Sequence, residues 1–266
     1  MKVLIVLAHP EPKSLTTSLF NVTVDELKKL GHEVKTTDLY AIKWKATIDA
    51  DDFPEFDQEK ERLVITSESR KAYNERKLTK DVLEEQEKLE WADMLILQFP
   101  LWWFSMPAIL KGWVERVFSS GLGYGVGYSP KTPHGSRYGE GAFKGKRAML
   151  SITIGAPATN YNKMGVNGDI FDILYPLNHG VLFYPGFDVL EPFLVYRTHR
   201  FTEERLQETT NELRERLKNL ETEKPIPFRP QNAGDYDLQT LELKPDAISP
   251  DKKGLGLRVH LKEQSY

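Results

Sequence analysis

The feature that most constrains this fold is an alternation of short apolar segments with amphipathic ones. The chain opens on KVLIVLA, residues 2–8, a continuous apolar run typical of a parallel strand that is covered on both faces. A polar turn and a helix over residues 16–30 follow, and the helix is predicted to end at Gly31. HEVKTTDL, residues 32–39, alternates in polarity as a partly exposed strand does. These residues therefore predict a βαβ unit.

The same alternation continues to residue 220. We predict helices over residues 81–91, 169–178 and 202–220, and strands over residues 93–99, 146–154 and 180–195, the last a central strand and its exit. A further helix begins near Pro107, capped by Ser105 or Met106, and places Leu110, Trp113, Val114, Val117 and Phe118 on one face. Residues 40–80 give a poor signal, in which IDADDFPEFDQEKERL, residues 48–63, indicates only an acidic loop and a short helix. Residues 119–145 contain eight glycines and predict a long functional loop.

Five strand–helix alternations predict an α/β protein: a doubly wound parallel five-stranded sheet with helices on both faces. Its domain should span residues 1–222. The proline-punctuated residues 223–266 should form an irregular tail that wraps the domain or a partner chain. In such sheets ligands bind beyond the carboxyl ends of the strands. Those ends carry AHPEPKSLT, FPLWWF and IGAPATNY, so we expect the functional site there.

The composition excludes several classes of function. Over 266 residues the formal net charge is -3, so no basic surface for nucleic acid is expected. The sequence contains no cysteine, which excludes disulfides, thiolate nucleophiles and iron–sulfur clusters. Its six histidines lack metal spacing, so no metal site is expected, and only His9 follows a strand closely enough to approach a ligand. GxGxxG, GxxxxGK[ST] and GxSxG are all missing from the sequence.

The apolar patterns favour a cytoplasmic protein without a membrane span. The apolar run of residues 94–110 is interrupted by Gln98, Pro100, Ser105 and Pro107 and is too short for a transmembrane helix. The apolar start is brief and no small-residue cleavage site follows it, so a buried strand is favoured over a signal peptide.

Each of the three loops has a functional and a structural interpretation. In the first, Ser14, Thr16 and Thr17 at a helix start can hold a phosphate or simply cap the helix, and capping is favoured when the loop is taken alone. In the second, PLWWF at residues 100–104, one or two aromatic residues would be core, whereas three in a row suggest a wall for a planar ligand. The third supplies Gly155 for close backbone approach and Tyr161 as a phenol donor, although a lone tyrosine is more often surface or core.

Five motifs together resemble the NAD(P)H:quinone oxidoreductases of DT-diaphorase type, which have a flavodoxin-like fold: IVLAH, QFPLWWFSMPAILKGWVERVF, LSITIG, GFDVLEP and KGLGLRVHL. The resemblance spans residues 2–261. It implies non-covalently bound FAD, two-electron ping-pong hydride transfer from NADH or NADPH to a quinone, and a homodimer whose active sites lie between subunits. FMN stays an alternative to FAD, but the C-terminal length favours FAD because the family's shorter members tend to carry FMN.

The resemblance also assigns site residues. His9, Ser14, Leu15 and Thr16 would hold the pyrophosphate and ribityl region, and Pro100, Leu101, Trp102, Trp103 and Phe104 would lie along the isoalloxazine ring. Thr153, Ile154, Gly155 and Ala156 would contact the pyrimidine side, and Arg205 the adenylate end. Trp103 and Phe104 would also face the substrate, together with Tyr124, Tyr128 and Tyr236.

One departure from the family concerns its catalytic pair. Tyr161 matches the tyrosine that helps to stabilise the reduced flavin, but the usual histidine six residues later is Asn167 here. Asn is neither an acid nor a base near neutral pH, so the proton relay is not carried over, although Asn can donate a hydrogen bond. The loop after ERVF is also longer and richer in glycine than in the family, which leaves the shape of the pocket mouth and the quinone preference open.

The predicted activity is that of an NAD(P)H dehydrogenase (quinone), and two other functions stay open. Similar proteins are flavin-bearing regulatory subunits of potassium-efflux systems, whose main output is partner binding. A flavodoxin-like one-electron carrier is the second alternative, although its chain would ordinarily be shorter and more acidic. Within the enzyme interpretation, an azo or nitro compound could replace the quinone as the acceptor.

Overall fold

A computed structural model describes residues 1–248 and 256–262 of the chain. Its centre is a parallel sheet of β1 (Lys2–Leu7), β2 (Glu33–Asp38), β3 (Met94–Pro100), β4 (Arg147–Thr153), β5 (Asp188–Val189) and β6 (Phe193–Val195). The strand order is β2-β1-β3-β4-β5, and β6 continues the edge by pairing with β4. This order, with its reversal between β1 and β3, is that of the flavodoxin-like doubly wound fold.

Helices cover both faces of the sheet. They are α1 (Leu15–Lys29), α2 (Ile65–Asn74), α3 (Lys80–Trp91), α4 (Ala108–Val117), α5 (Ile170–Tyr175) and α6 (Glu203–Lys218). Alternate residues of each strand point to opposite faces. Val3 and Ile5 therefore pack with α1 and α6, whereas Leu4 and Val6 join the larger core with α3, α4 and α5. The wholly apolar run of β1 follows from this double coverage.

Three elements differ from the sequence prediction. The helix α2 was missed because it spans only ten residues and is polar on average, and the two residues that it buries fully, Ser69 and Ala72, are small. The cap of α4 is Pro107 rather than Ser105 or Met106. The predicted central strand over residues 180–195 is instead a π-helix, Pro176–Phe183, followed by the split edge strands β5 and β6.

The split of the edge strand has a local cause. Leu190 still donates its backbone N–H to Ala148, but the next residues leave the ladder before pairing resumes at Ser151 and Phe193. Pro192 lies in the interruption and has no N–H to donate, which is why proline is confined to edges and breaks in sheets. Residues 180–183, GVLF, are apolar enough for a strand or a buried helix, and periodicity cannot separate the two.

The predicted Gly-rich loop of residues 119–145 contains no regular helix or strand and packs on the π-helix. Tyr138 and Gly139 donate backbone hydrogen bonds to the carbonyl groups of Tyr184 and Phe183. A Cβ atom on Gly139 would lie 2.6 Å from the ring of Phe183. Glycine is therefore required here by close approach.

The tail packs on its own domain. Ile226, Phe228 and Leu261 are buried in the larger core, and Phe228 and Leu261 form an isolated antiparallel bridge. Ile226 also donates a backbone hydrogen bond to Val189 of β5. Residues 253–255 of the tail motif KGLGLRVHL lie outside the described residues. The division at residue 222 stays a prediction.

Candidate active site at the carboxyl edge of the sheet

A cleft of about 440 Å³ opens where β1, β3 and β4 end. Eleven of its lining residues belong to the predicted cofactor site: His9, Ser14, Leu15, Thr16, Pro100, Leu101, Trp102, Thr153, Gly155, Ala156 and Tyr161. Thr198 and His199 complete the lining. The three loops that follow the strands therefore meet at one edge of the sheet, as the parallel topology requires.

The amino terminus of α1 forms one end of the cleft. Ser14 caps the helix by accepting a hydrogen bond from the Thr17 backbone N–H at 3.1 Å. Of the two roles predicted for this side chain, the structure therefore shows capping. The backbone N–H groups of Leu15 and Thr16 have no partner within the helix, because the first turn always leaves such donors. Together with the positive end of the helix dipole, they make this end suited to an anion.

A buried hydrogen bond fixes α1 against the end of β4. The Oγ1 atoms of Thr16 and Thr153 lie 2.7 Å apart, and both residues are almost fully buried. Leu101 donates its backbone N–H to the carbonyl group of the same Thr153. The walls from β3, β4 and α1 are therefore tied together beneath the cleft.

The aromatic loop is a two-residue hairpin. Trp102 and Ser105 exchange two backbone hydrogen bonds of 3.0 Å, and Trp103 and Phe104 between them have φ values of 50° and 61°. A type I′ turn requires positive φ at both positions, which normally selects Asn and Gly. For bulky residues this conformation costs roughly 1–2 kcal/mol each.

This strained turn directs its rings to different places. Trp102 lines the cleft, with its ring centroid 6.0 Å from that of His9. Trp103 is 96% exposed and Phe104 is 50% exposed, and neither lines the cleft of the single chain. The hairpin therefore presents one ring to the cleft and two rings to the outside.

The third loop brings in a histidine that sequence reasoning assigned to the surface or core. A Cβ atom at Gly155 would lie 2.5 Å from Nε2 of His199, so the absence of a side chain lets this imidazole approach. His199 belongs to a short 3₁₀ turn, Thr198–Arg200, that follows Arg197 in a left-handed conformation. No sequence motif marks this residue, because its position depends on a turn 44 residues after Gly155 in the chain.

Tyr161 ends a 3₁₀ turn, Ala158–Tyr161, and lines the cleft. Its ring centroid lies 5.9 Å from that of Tyr196 behind it. Burial, with smaller contributions from Tyr161 and Asp169, raises the pKa of Tyr196 to about 12. Tyr196 is therefore a neutral phenol at physiological pH and supplies no charge to this wall.

Asn167 is not among the residues that line the cleft. Its backbone N–H donates to the carbonyl group of Asn160 at 3.0 Å and closes the loop that follows Tyr161. Gly165 lies against the same residue, where a Cβ atom would approach the Asn160 carbonyl to 2.4 Å. The role of Asn167 in catalysis stays a prediction.

Two other predicted cofactor residues do not line the cleft. The side chain of Ile154 is wholly buried in the core. Arg205 donates to the carbonyl group of Tyr196 at 2.7 Å, and its guanidinium lies 4.9 Å from the centroid of the Phe201 ring. Their assignments stay predictions.

The three predicted substrate tyrosines lie apart in the single chain. Tyr124 lines a groove of about 350 Å³ beside Phe118 and Tyr184. Tyr128 is 65% exposed. Tyr236 lines a separate cavity of about 370 Å³ that shares no lining residue with the cleft. None of them reaches the cleft within one chain, and their role stays a prediction.

The described residues restrict the chemistry of the site further. None of the side chains that line the cleft carries a carboxylate, so its wall presents no negatively charged side chain to an anionic group. Within residues 1–248 and 256–262, no three His, Asp or Glu side chains are placed to hold a metal ion. No helix in that same part of the chain is long and apolar enough to cross a membrane.

Comparison with known proteins agrees with this architecture. A sequence model of the flavodoxin-like fold matches residues 1–219. A ribosyldihydronicotinamide dehydrogenase-like protein of Penicillium crustosum is 49% identical over 259 residues, 97% of this chain and 96% of its own. NAD(P)H dehydrogenase [quinone] 1 of Cavia porcellus is 37% identical over 264 residues, 98% of this chain and 93% of its own.

A solved structure also resembles this chain over nearly its whole length. A candidate quinone reductase from Klebsiella pneumoniae superimposes with a TM-score of 0.93 at 49% identity, covering 98% of this chain and 99% of its own. Sequence identity at this level over nearly the whole chain shows membership of the same family as well as the same fold. The chain therefore belongs to the flavodoxin-like NAD(P)H:quinone oxidoreductases.

Proposed function

We propose that the cleft binds FAD non-covalently and that the protein uses NADH or NADPH to reduce quinones by two-electron hydride transfer in a ping-pong cycle. One observation carries this proposal. A helix amino terminus, a tryptophan ring and a glycine-bearing loop meet in a single cleft at the carboxyl edge of the sheet. An anion site and an aromatic wall at such an edge suit a nucleotide-linked planar ring.

The residues present fit a flavin. The volume of about 440 Å³ lies within the range of cofactor sites. Ser14, Leu15 and Thr16 would hold the phosphate groups through hydroxyl and backbone N–H donors, and no carboxylate lines the cleft to oppose them. Pro100, Leu101 and Trp102 would lie along the isoalloxazine ring.

The bound flavin would supply the hydride chemistry, and the protein would supply binding and orientation. Gly155 and Ala156 would let the backbone approach the polar edge of the ring. Tyr161 would donate a hydrogen bond where negative charge develops, and His199 places an imidazole at the same wall. Asn167 would act, if at all, as a hydrogen-bond donor.

FAD is proposed over FMN because the tail extends the chain beyond the matched fold of residues 1–219. A flavin as such is supported by the general stress protein 14 of Treponema denticola, which was solved in complex with FMN. It shares 25% identity with this chain, with a TM-score of 0.55. Arg205 would contact the adenylate end of FAD.

A homodimer is proposed from the exposed apolar side chains around the cleft. Trp103, Met164 and Val166 are 96%, 93% and 88% exposed, and Phe104 is half exposed. Apolar groups concentrated in this way mark an interaction surface. A second copy would cover them and bring Tyr124, Tyr128 or Tyr236 of one subunit to the cleft of the other, which would form the quinone site.

Isolation of the protein with its flavin tests the proposal directly. The cofactor released on denaturation should be FAD by chromatography, its absorbance should bleach under anaerobic NADH or NADPH, and menadione should restore it. Trp102→Ala should weaken flavin retention. Trp91→Ala, which removes a ring that lies against Lys2 and Lys35 at the opposite edge, should not. A colourless protein that takes up no flavin would refute the assignment.

A further inference from the structure

A second cavity of about 370 Å³ lies between the Gly-rich loop, the π-helix and the tail. We call it the tail cavity. It shares no lining residue with the candidate flavin cleft. A volume of this size lies within the range of small-molecule sites. Its wall includes Tyr236, which the proposed function also places at the quinone site between subunits, so a test of the tail cavity has to separate the two sites.

Aromatic rings form most of its wall. The imidazole of His179 is stacked between Tyr138, at 4.8 Å, and Tyr175, at 4.6 Å, measured between ring centroids. Tyr236 and His260 are stacked at 6.1 Å, and a hydrogen bond of 2.9 Å joins the phenol oxygen and Nδ1. A wall of aromatic rings favours a planar aromatic ligand, because aromatic rings stack on one another with offset faces.

The charge of the cavity comes from one residue. Arg229 is neutralised by Asp235 at 2.7 Å, and its other nitrogens donate to backbone carbonyl groups of the tail. Arg137 donates only its Nε–H, to Gln231, and no carboxylate of the described residues pairs with it. Its planar guanidinium therefore keeps terminal N–H donors and an uncompensated positive charge beside the aromatic wall.

The imidazoles add no charge to that of Arg137. Burial, with a smaller contribution from the neighbouring His260, lowers the pKa of His179 to about 3. Burial also lowers the pKa of His260. Both rings are neutral at physiological pH, and the buried Nε2 atom of His179 has no hydrogen-bond partner. The cavity thus combines one free cation with neutral polar groups and rings.

We propose that the tail cavity binds a planar aromatic monocarboxylate, with its carboxylate on Arg137 and its ring against the tyrosine rings of the wall. A guanidinium fork matches a carboxylate in two parallel hydrogen bonds, which is the reason for this ligand class. A polyphosphate does not fit this charge balance, because a single unpaired arginine lines the cavity. The ligand would also hold the tail against the Gly-rich loop, because Arg137 belongs to that loop and Tyr236 belongs to the tail.

Titration calorimetry with β-naphthoate on the flavin-loaded protein tests this proposal. We expect one saturable site per chain and binding at least about tenfold tighter than that of the neutral, equally shaped β-naphthamide, as charge-assisted hydrogen bonds imply. Arg137→Gln should remove this preference for the acid. The exposed Arg62→Gln is the matched control and should retain it.

A second variant covers the case in which Arg137→Gln does not fold. Gln231→Glu leaves the arginine in place but puts a carboxylate beside it, so it should also abolish the preference. Equal affinities for acid and amide, or no saturable binding, would overturn the proposal. Displacement of β-naphthoate by menadione would do so too, because the probe would then occupy the quinone site. A protein that binds no flavin but shows the expected preference would contradict the proposed function and support the tail-cavity site.

Discussion

The buried hydrogen bond between Thr16 and Thr153 offers a sharp test of how the cleft is held together. The two Oγ1 atoms lie 2.7 Å apart, and the residues are only 2% and 5% exposed. Valine has nearly the shape of threonine without the hydroxyl. Thr16→Val therefore removes the bond and leaves the Thr153 hydroxyl buried without a partner, and Thr153→Val does the reverse.

The magnitudes follow from this geometry. A buried hydroxyl left without a partner costs about 1–3 kcal/mol, whereas replacing both partners with apolar groups of the same shape is nearly neutral. Each single variant should therefore lower the free energy of unfolding by about 1–2 kcal/mol. The double variant should lose less than the sum of the two, with a coupling of at least about 1 kcal/mol.

Urea unfolding of the flavin-free protein measures all four free energies under one condition. Thr66→Val, at an exposed position of α2, is the matched control and should change stability by less than about 0.5 kcal/mol. Additive losses in the double variant, or singles that behave like the control, would refute the claim that this bond ties α1 to β4.

Three further predictions rest on other parts of the structure. The buried carboxylate of Glu85 accepts hydrogen bonds from a threonine, a lysine and a tryptophan, so Glu85→Ala should lower the free energy of unfolding by about 3–5 kcal/mol. The exposed Glu84→Ala should cost less than about 0.5 kcal/mol, and equal losses in urea titration would contradict the expectation. Burial lowers the pKa of His179 from 6.5 to about 3, so the unfolded chain binds more protons than the folded chain between these pH values. The free energy of unfolding is therefore not reduced by this residue above pH 6.5 and falls as the pH drops below it. His179→Phe should flatten this acid slope, and parallel plots of unfolding free energy against pH for the two proteins would argue against it. A side chain at position 155 would displace the imidazole of His199. Gly155→Ala should therefore weaken flavin affinity by about tenfold or more in fluorescence titrations and leave the unfolding midpoint nearly unchanged. An unaltered flavin affinity would count against the proposed site.

Much of the fold could be predicted from periodicity. The apolar run of β1, the facing residues of α4 and the long charged helix α6 each carry a signal that depends only on which side of the element meets water. The helix α2 was missed because its period extends over only ten residues, which are polar on average, and the residues that it buries fully, Ser69 and Ala72, are small. The π-helix was mistaken for a strand because the run GVLF is apolar enough for either conformation.

The candidate site divides in the same way. Ser14, Trp102 and Gly155 follow predicted strands directly, so the parallel topology was enough to bring their loops together. The sequence pattern did not predict that His199 approaches Gly155 or that Trp103 points outward. Both features depend on left-handed backbone positions at Arg197 and in the aromatic hairpin, which non-glycine residues adopt only where the surrounding structure imposes them.

By itself, the amino-acid sequence determined most of the strands and helices, and hence the edge of the sheet where the cleft opens. This information is local, because burial on one or both faces dictates the hydrophobic period of each segment. Only the tertiary structure decided which distant side chains share a wall. The tail cavity is the clearest case: Arg137, His179 and Tyr236 come from three segments whose packing brings one unpaired charge against stacked rings. Such contacts depend on the paths of loops, and no period in the sequence records them.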